Sequence, residues 1–193
     1  MHKISLVAIA ITLLLACQNK EDKPFTFNGN IKNVDDGTKV TVFSTSEENR
    51  LDPIDTVAVQ NEQISFKIPE VDEQRLYLVR IEGVQGNAIF INENKDVKAT
   101  IYKDSLRKSK IESGENNELL REYLAMVKDM GDKMKVMQGE YRSARMKEEK
   151  QKAQEIKKKQ EQANEDFIEK QKTFIKENNG SLVALMILSD LYQ

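Results

Sequence analysis

Histidine and cysteine are almost absent: the 193-residue chain has one of each, His2 and Cys17, and it has no tryptophan. That scarcity removes Cys-His and Ser-His nucleophilic schemes and the usual zinc and copper ligand sets. With no second cysteine there is no intrachain disulfide, so any core must be held by packing. Basic residues are not in excess either. Thirty lysines and arginines stand against 32 acids, a net charge of -2, and a mildly acidic chain lacks the basic footprint that nucleic acid needs. Carboxylate, lysine, tyrosine and serine remain for chemistry. Asp35-Asp36 and Asp52 with Asp55 are the acid-base candidates, but a turn and a strand entry explain them as well. The expectation is a protein that is not an enzyme, with no cofactor and no metal.

What is present begins with an address. His2 and Lys3 precede an apolar run from Ile4 to Leu15, about a dozen residues, which is the length of a secretory signal core and too short to span a bilayer. Leu13-Leu14-Leu15-Ala16-Cys17 resembles the bacterial lipobox, which implies a diacylglyceryl group on the Cys17 sulfur and removal of residues 1–16. Cleavage takes Lys3 and no acid, so the count becomes 29 against 32 and the mature charge is near -3. Residues 17–23 form a polar tether with nothing to bury. Within it, Lys20-Glu21-Asp22 is similar to an export signal of surface lipoproteins, and it reads equally as a charged spacer. The absence of Asp at Gln18 argues for the outer membrane, with the periplasmic and cell-surface faces both open.

Residues 24–113 alternate in the manner of short strands. Phe25, Phe27 and Ile31 begin the pattern after Pro24, and Asp35-Asp36-Gly37 is a turn signal, which predicts a hairpin of 25–33 with 38–45. Ile54 to Val59 and Ile64 to Ile68, separated by Asn61-Glu62, predict a second hairpin. Strands follow at Leu76 to Ile81, Ala88 to Ile91 and Val97 to Ile101, and a last short one lies around Ser109 to Ile111. Eight strands at such spacing predict an antiparallel β-sandwich or partly open barrel. Alternation places Phe27, Ile31, Val40, Val42, Val57, Ile64, Phe66, Leu78, Ile89, Ile91, Val97 and Ile101 in its core. Asn92-Glu93-Asn94-Lys95-Asp96 has oxygen-rich spacing, but it lacks the glycine and the final glutamate of a calcium loop, so it reads as a turn.

The stretches Phe27 to Ile31, Asp36 to Val40, Ile54 to Val59 and Ile64 to Phe66 resemble the N-terminal domain of unknown function that precedes thioredoxin-like domains in lipid-anchored thiol-disulfide interchange proteins. Ser113-Gly114-Glu115-Asn116 is similar to the turn that leads out of that domain. Phe174 to Ser181 resembles the corner before its last helix, with Gly180 and no proline here. The resemblance implies an accessory role beside a thioredoxin-like protein, or a fragment of a thiol-disulfide oxidoreductase whose catalytic domain is missing. Neither a Cys-x-x-Cys pair nor a tryptophan is present, so redox activity is not carried over.

Residues 114–193 read as helical, making the whole α+β: a sandwich, a charged helical hairpin with coiled-coil character and a short C-terminal helix. Asn116 is the expected cap of a helix from Asn117. Leu120, Leu124, Val127, Met130, Met134, Met137 and Tyr141 form one stripe, suited to helix packing or to an apolar partner. From Met146 to Asp166 lysine, glutamate and glutamine dominate, with possible pairs Glu148–Lys152 and Glu155–Lys159. One helix over 117–178 would be about 90 Å long, so a bend is expected, at Gly139. Gly180 is the expected left-handed cap, and Ser181 opens a final apolar helix, Leu182 to Tyr192. Lys108-Ser109-Lys110 and Lys157-Lys158-Lys159 are interleaved with acids, as on a solvated face. The expected role is a non-catalytic, lipid-anchored accessory or binding protein. Its expected partners are the membrane, through lipid on Cys17, and an envelope protein or a thioredoxin-like protein.

Overall fold

The computed structural model describes residues 24–46 and 50–192, and over these the chain forms two four-stranded sheets followed by three helices. The strands are β1 (Phe25–Lys32), β2 (Lys39–Thr45), β3 (Leu51–Ala58), β4 (Gln63–Ile68), β5 (Arg75–Ile81), β6 (Ala88–Asn92), β7 (Val97–Tyr102) and β8 (Lys110–Glu112). The helices are α1 (Glu115–Met146), α2 (Lys150–Glu177) and α3 (Leu182–Leu191), and a 3₁₀ segment, Lys103–Lys108, joins β7 to β8.

The sheets have the orders β4-β1-β7-β8 and β3-β2-β5-β6 and are not closed on each other. This is a partly open sandwich, as the strand spacing predicts, but the pairing differs from expectation. β1 pairs with β4 and not with β2, and β3 pairs with β2 and not with β4. Both expected hairpins are in fact corners at which the chain changes sheets. Gly37, at φ +85°, turns the first; the second is closed by a Gln60–Gln63 bridge, with Asn61 and Glu62 both at positive φ. The sandwich is also not wholly antiparallel, because β1 and β7 run parallel.

Alternating side chains fill the space between the sheets, as a period of two requires. Phe27 stacks on Phe66 with ring centroids 4.5 Å apart and leans on Phe90 at 5.2 Å, which in turn meets Tyr77 at 5.4 Å. Val40, Val42, Val59, Ile68, Val79 and Ile81 complete the centre. Three expected core residues do not belong there. Val57 is only partly buried at the margin, and Leu78 and Ile89 lie on the opposite face of their sheet, where Tyr77, Val79 and Phe90 point inward instead.

That opposite face is covered. Ile91, Leu120, Val183 and Ile187 form a second apolar cluster, with Leu76 and Ile89 packed against it. Ile91 is thus fully buried as expected, but between sheet and helices. α3 is the apolar helix that the sequence required something to cover, and its Val183, Ala184 and Ile187 are buried.

α1 and α2 form the charged hairpin. The bend falls at 147–149, with Glu148 at φ +58°, and not at Gly139, which lies inside α1 and faces open space. Met130, Met134, Met137 and Tyr141 of the stripe pack on Ala153, Ile156 and Ala163 of α2. The methionine stripe is therefore a helix-helix seam. Near the bend, the ion pairs formed are Lys152–Glu149 at 3.3 Å and Lys157–Glu161 at 3.7 Å. Gly180 is not left-handed; α2 is followed by Asn178 at φ -122°. Ser181 caps α3 as expected, its Oγ accepting from the Ala184 N–H at 3.0 Å.

Candidate functional site

The helices leave the outer face of the sheet β4-β1-β7-β8 uncovered. Inward residues on these strands are apolar, so their neighbours of opposite parity are polar and face out: Asn28 and Asn30 on β1, Ser65 on β4, Lys98 and Thr100 on β7. Lys110 and Glu112 of β8 bound this face on one side, and the end of β3 with the Asn61 corner bounds it on the other. Together they enclose an open groove of about 920 Å³. The backbone of Gly29 and Ile64 lies in its floor; a side chain at Gly29 would point inward and come within 2.9 Å of the Ile64 and Phe27 side chains, so glycine is kept there by the core beneath the groove.

The groove offers amides, hydroxyls, two lysines and one glutamate. Ser65 Oγ donates to Asn28 Oδ1 at 2.9 Å, which fixes one amide across the β1–β4 pair. Asn30 differs: its Oδ1 is shielded from solvent and has no hydrogen-bond partner. A buried acceptor left unpaired carries a desolvation cost, and rotating the amide toward a donor in the groove would relieve it. The groove can hold a polar or extended ligand.

Sequence-level candidates lie elsewhere. Asp36 accepts from the Asn61 N–H at 2.7 Å, which makes it a corner clamp, while Asp52 and Asp55 are exposed along the edge strand β3. The Asn92-to-Asp96 turn directs its oxygens into the protein. Asn92 Nδ2 donates to the Pro69 carbonyl at 3.0 Å, Asn94 exchanges two bonds with the Val71 backbone, and Asp96 accepts from the Thr26 N–H at 2.8 Å. Among the described residues no group of three or more His, Cys, Asp or Glu is placed to hold a metal. Lys110 alone of the two basic clusters reaches the groove. Cys17, the leader 1–16 and the whole of the tether 17–23 lie outside the described residues.

The same turn locks the helices onto the sandwich. Glu93 Oε1 accepts from the Asn117 N–H at 3.1 Å and from Asn117 Nδ2 at 2.8 Å, so a carboxylate supplied by the turn caps the N-terminus of α1. Gly114 leaves room for it, because a Cβ there would collide with the Glu93 carboxylate and push it aside. Asn116 is not the cap: it lies within α1, donates to Gln74 Oε1 at 2.9 Å and accepts from the Leu182 N–H at 3.1 Å.

The architecture thus defines a class: an eight-stranded, partly open sandwich whose edge is locked to a helical arm and whose far face is free. Within it, residues 25–120 match the family described as "Domain of unknown function (DUF4369)", so the chain carries a DUF4369 domain. The match ends at Leu120, past Asn117, and so takes in the first turns of α1 that are bonded to β6. No thioredoxin-like domain is detected in the chain. No curated protein matches it. Among the described residues no helix is long and apolar enough to cross a membrane.

Proposed function

We propose that this is a non-catalytic binding protein of the outer membrane, anchored by lipid on Cys17, with the groove on β1, β4 and β7 as its recognition surface. The groove carries the reading. It is the polar face that the helices leave open, and it keeps an unpartnered amide oxygen at Asn30. The leader Ile4 to Leu15, the Ala16-Cys17 junction and the polar tether supply the anchoring half of the proposal. Only one cysteine and one histidine occur in the sequence, both at or before the lipidation position, which favours binding over thiol or imidazole chemistry.

A photo-crosslinking amino acid at Lys98, on the exposed side of β7, tests this in cells that express the whole chain. The expected result is a reproducible adduct from Lys98 and none from the same group at Asp52 on the edge strand. Equal yields at both positions, or none at Lys98, would reject the groove as the recognition surface.

A further inference from the structure

The fold gathers charge that is dispersed along the sequence. Because α1 and α2 run antiparallel, with Gln160 donating to Gln138 at 3.3 Å, residues 133–159 become one end of the hairpin. Counting Lys133 to Met146, that end is about 20 Å long by helical rise. It holds ten lysines and arginines and four glutamates, a net charge of +6; the other 20 bases and 28 acids leave the rest of the chain at -8. All ten basic side chains are exposed. Among the described residues only Lys152 and Lys157 of these ten lie within ion-pair distance of a carboxylate. At the apex Met146 is 85 % exposed, among Arg142, Arg145, Lys147 and Lys150.

We propose that this apex docks on an anionic lipid surface, with Met146 entering the headgroup layer and the surrounding lysines and arginines pairing with lipid phosphates. An exposed apolar side chain ringed by long cationic ones is suited to an interface, where the stems lie along apolar material and the charges stay in the headgroup layer. The basic side chains are spread over two helices, and the hollow that Arg145 and Lys150 line is shared with Glu148, unlike a continuous phosphate track. Tyr141 is the only aromatic residue from 133 to 159 and it packs in the hairpin seam, so there is no platform on which bases could stack. A second copy could offer counter-charge only at the hairpin root, where residues 115–132 and 161–177 hold ten acids against five bases, since the sandwich from 24 to 114 holds 15 acids against 12 bases; self-association is the rival occupant, and it needs no lipid. The acidic remainder would be repelled by the same surface, which orients the molecule apex first.

The absence of tryptophan gives a direct probe. The full chain carrying Met146→Trp has one indole, placed at the apex, so its emission reports that position whatever the N-terminus does. Vesicles of phosphatidylcholine containing phosphatidylglycerol should shift the emission to shorter wavelength. Pure phosphatidylcholine vesicles should not, and high salt should reverse the shift. Adding Arg142→Gln, Arg145→Gln, Lys147→Gln and Lys150→Gln should weaken the vesicle response on the order of a thousandfold, with helical circular dichroism unchanged. The proposal is overturned by no shift on anionic vesicles or by an equal shift on neutral ones. A larger shift with dissolved double-stranded DNA overturns it in favour of a polymer. A concentration-dependent shift without vesicles overturns it in favour of self-association.

Discussion

The side-chain amide of Asn117 reproduces a strand at the edge of the second sheet: its Nδ2 donates to the Ile91 carbonyl at 2.8 Å and its Oδ1 accepts from the Ile91 N–H at 2.9 Å. β6 is an edge strand, and an open edge is a template for unwanted pairing. Asn117 closes it at Ile91 and joins the helical arm to the sandwich with the same two bonds. Replacing Asn117 with Ala leaves both backbone groups of Ile91 buried and unpaired, a cost of about 2–4 kcal/mol. Equilibrium urea unfolding is expected to show that loss as a lower midpoint, and an unchanged midpoint would remove Asn117 from the lock.

Gly114 and Glu93 should behave as one unit. Gly114→Ala places a methyl group on the Glu93 carboxylate and forces it off the α1 N-terminus. The expected loss is about 1–2 kcal/mol, the size of a lost cap. Glu93→Ala vacates that space, so Gly114→Ala should cost much less in the Glu93→Ala background. A double-mutant cycle by thermal unfolding checks this, and strict additivity would contradict it.

Tyr123 ties α1 to α2, its hydroxyl accepting from Gln171 Nε2 at 3.0 Å and its ring lying 6.1 Å from Phe174. Burial pushes its phenol above the usual value near 10.0; the Gln171 hydrogen bond opposes this and the Asp190 carboxylate adds to it. The folded state therefore favours the neutral phenol. Its contribution is fully present below pH 10 and is lost as pH rises from there through the raised folded value. Tyr123→Phe should flatten the fall in Tm above pH 10 relative to the unsubstituted chain. Parallel curves for the two proteins would count against this role.

The distal hairpin has a thin core, so it should open separately from the sandwich. Ile156 is buried against α1 in a cluster that otherwise contains only Met137 and three alanines at full burial. Ile156→Ala is expected to cost about 2–4 kcal/mol locally. Hydrogen exchange should speed up over α1 and α2 near the bend while β1 and β7 keep their protection. Uniform acceleration throughout the chain would instead indicate one cooperative unit.

Strand positions were legible because one face of each strand is buried and the other wet, as in Gln63 to Ile68. β5 shows the limit. Leu76, Tyr77, Leu78 and Val79 are apolar at both parities because helices cover one face and the sandwich core the other, so alternation cannot say which side is inner. Pairing was illegible for a different reason: a turn signal such as Asp36-Gly37 marks a reversal, and the same reversal serves a hairpin or a corner between sheets. Gly139 drew the bend by its low helix propensity, yet the fold bends where the seam residues end, after Ala144 and before Ala153. The groove residues Asn28, Asn30, Lys98 and Thr100 were visible only as the polar partners of core positions. What singles them out is that the helices pack on the other sheet, and no local pattern states that.

The account rests most heavily on where the chain is held, because an anchored binder needs Cys17 at its N-terminus. Mass spectrometry of the protein extracted from membranes tests this directly. The account predicts a chain beginning at Cys17 with a diacylglyceryl group on its sulfur; a free Cys17 thiol, or a chain still carrying residues 1–16, would contradict it.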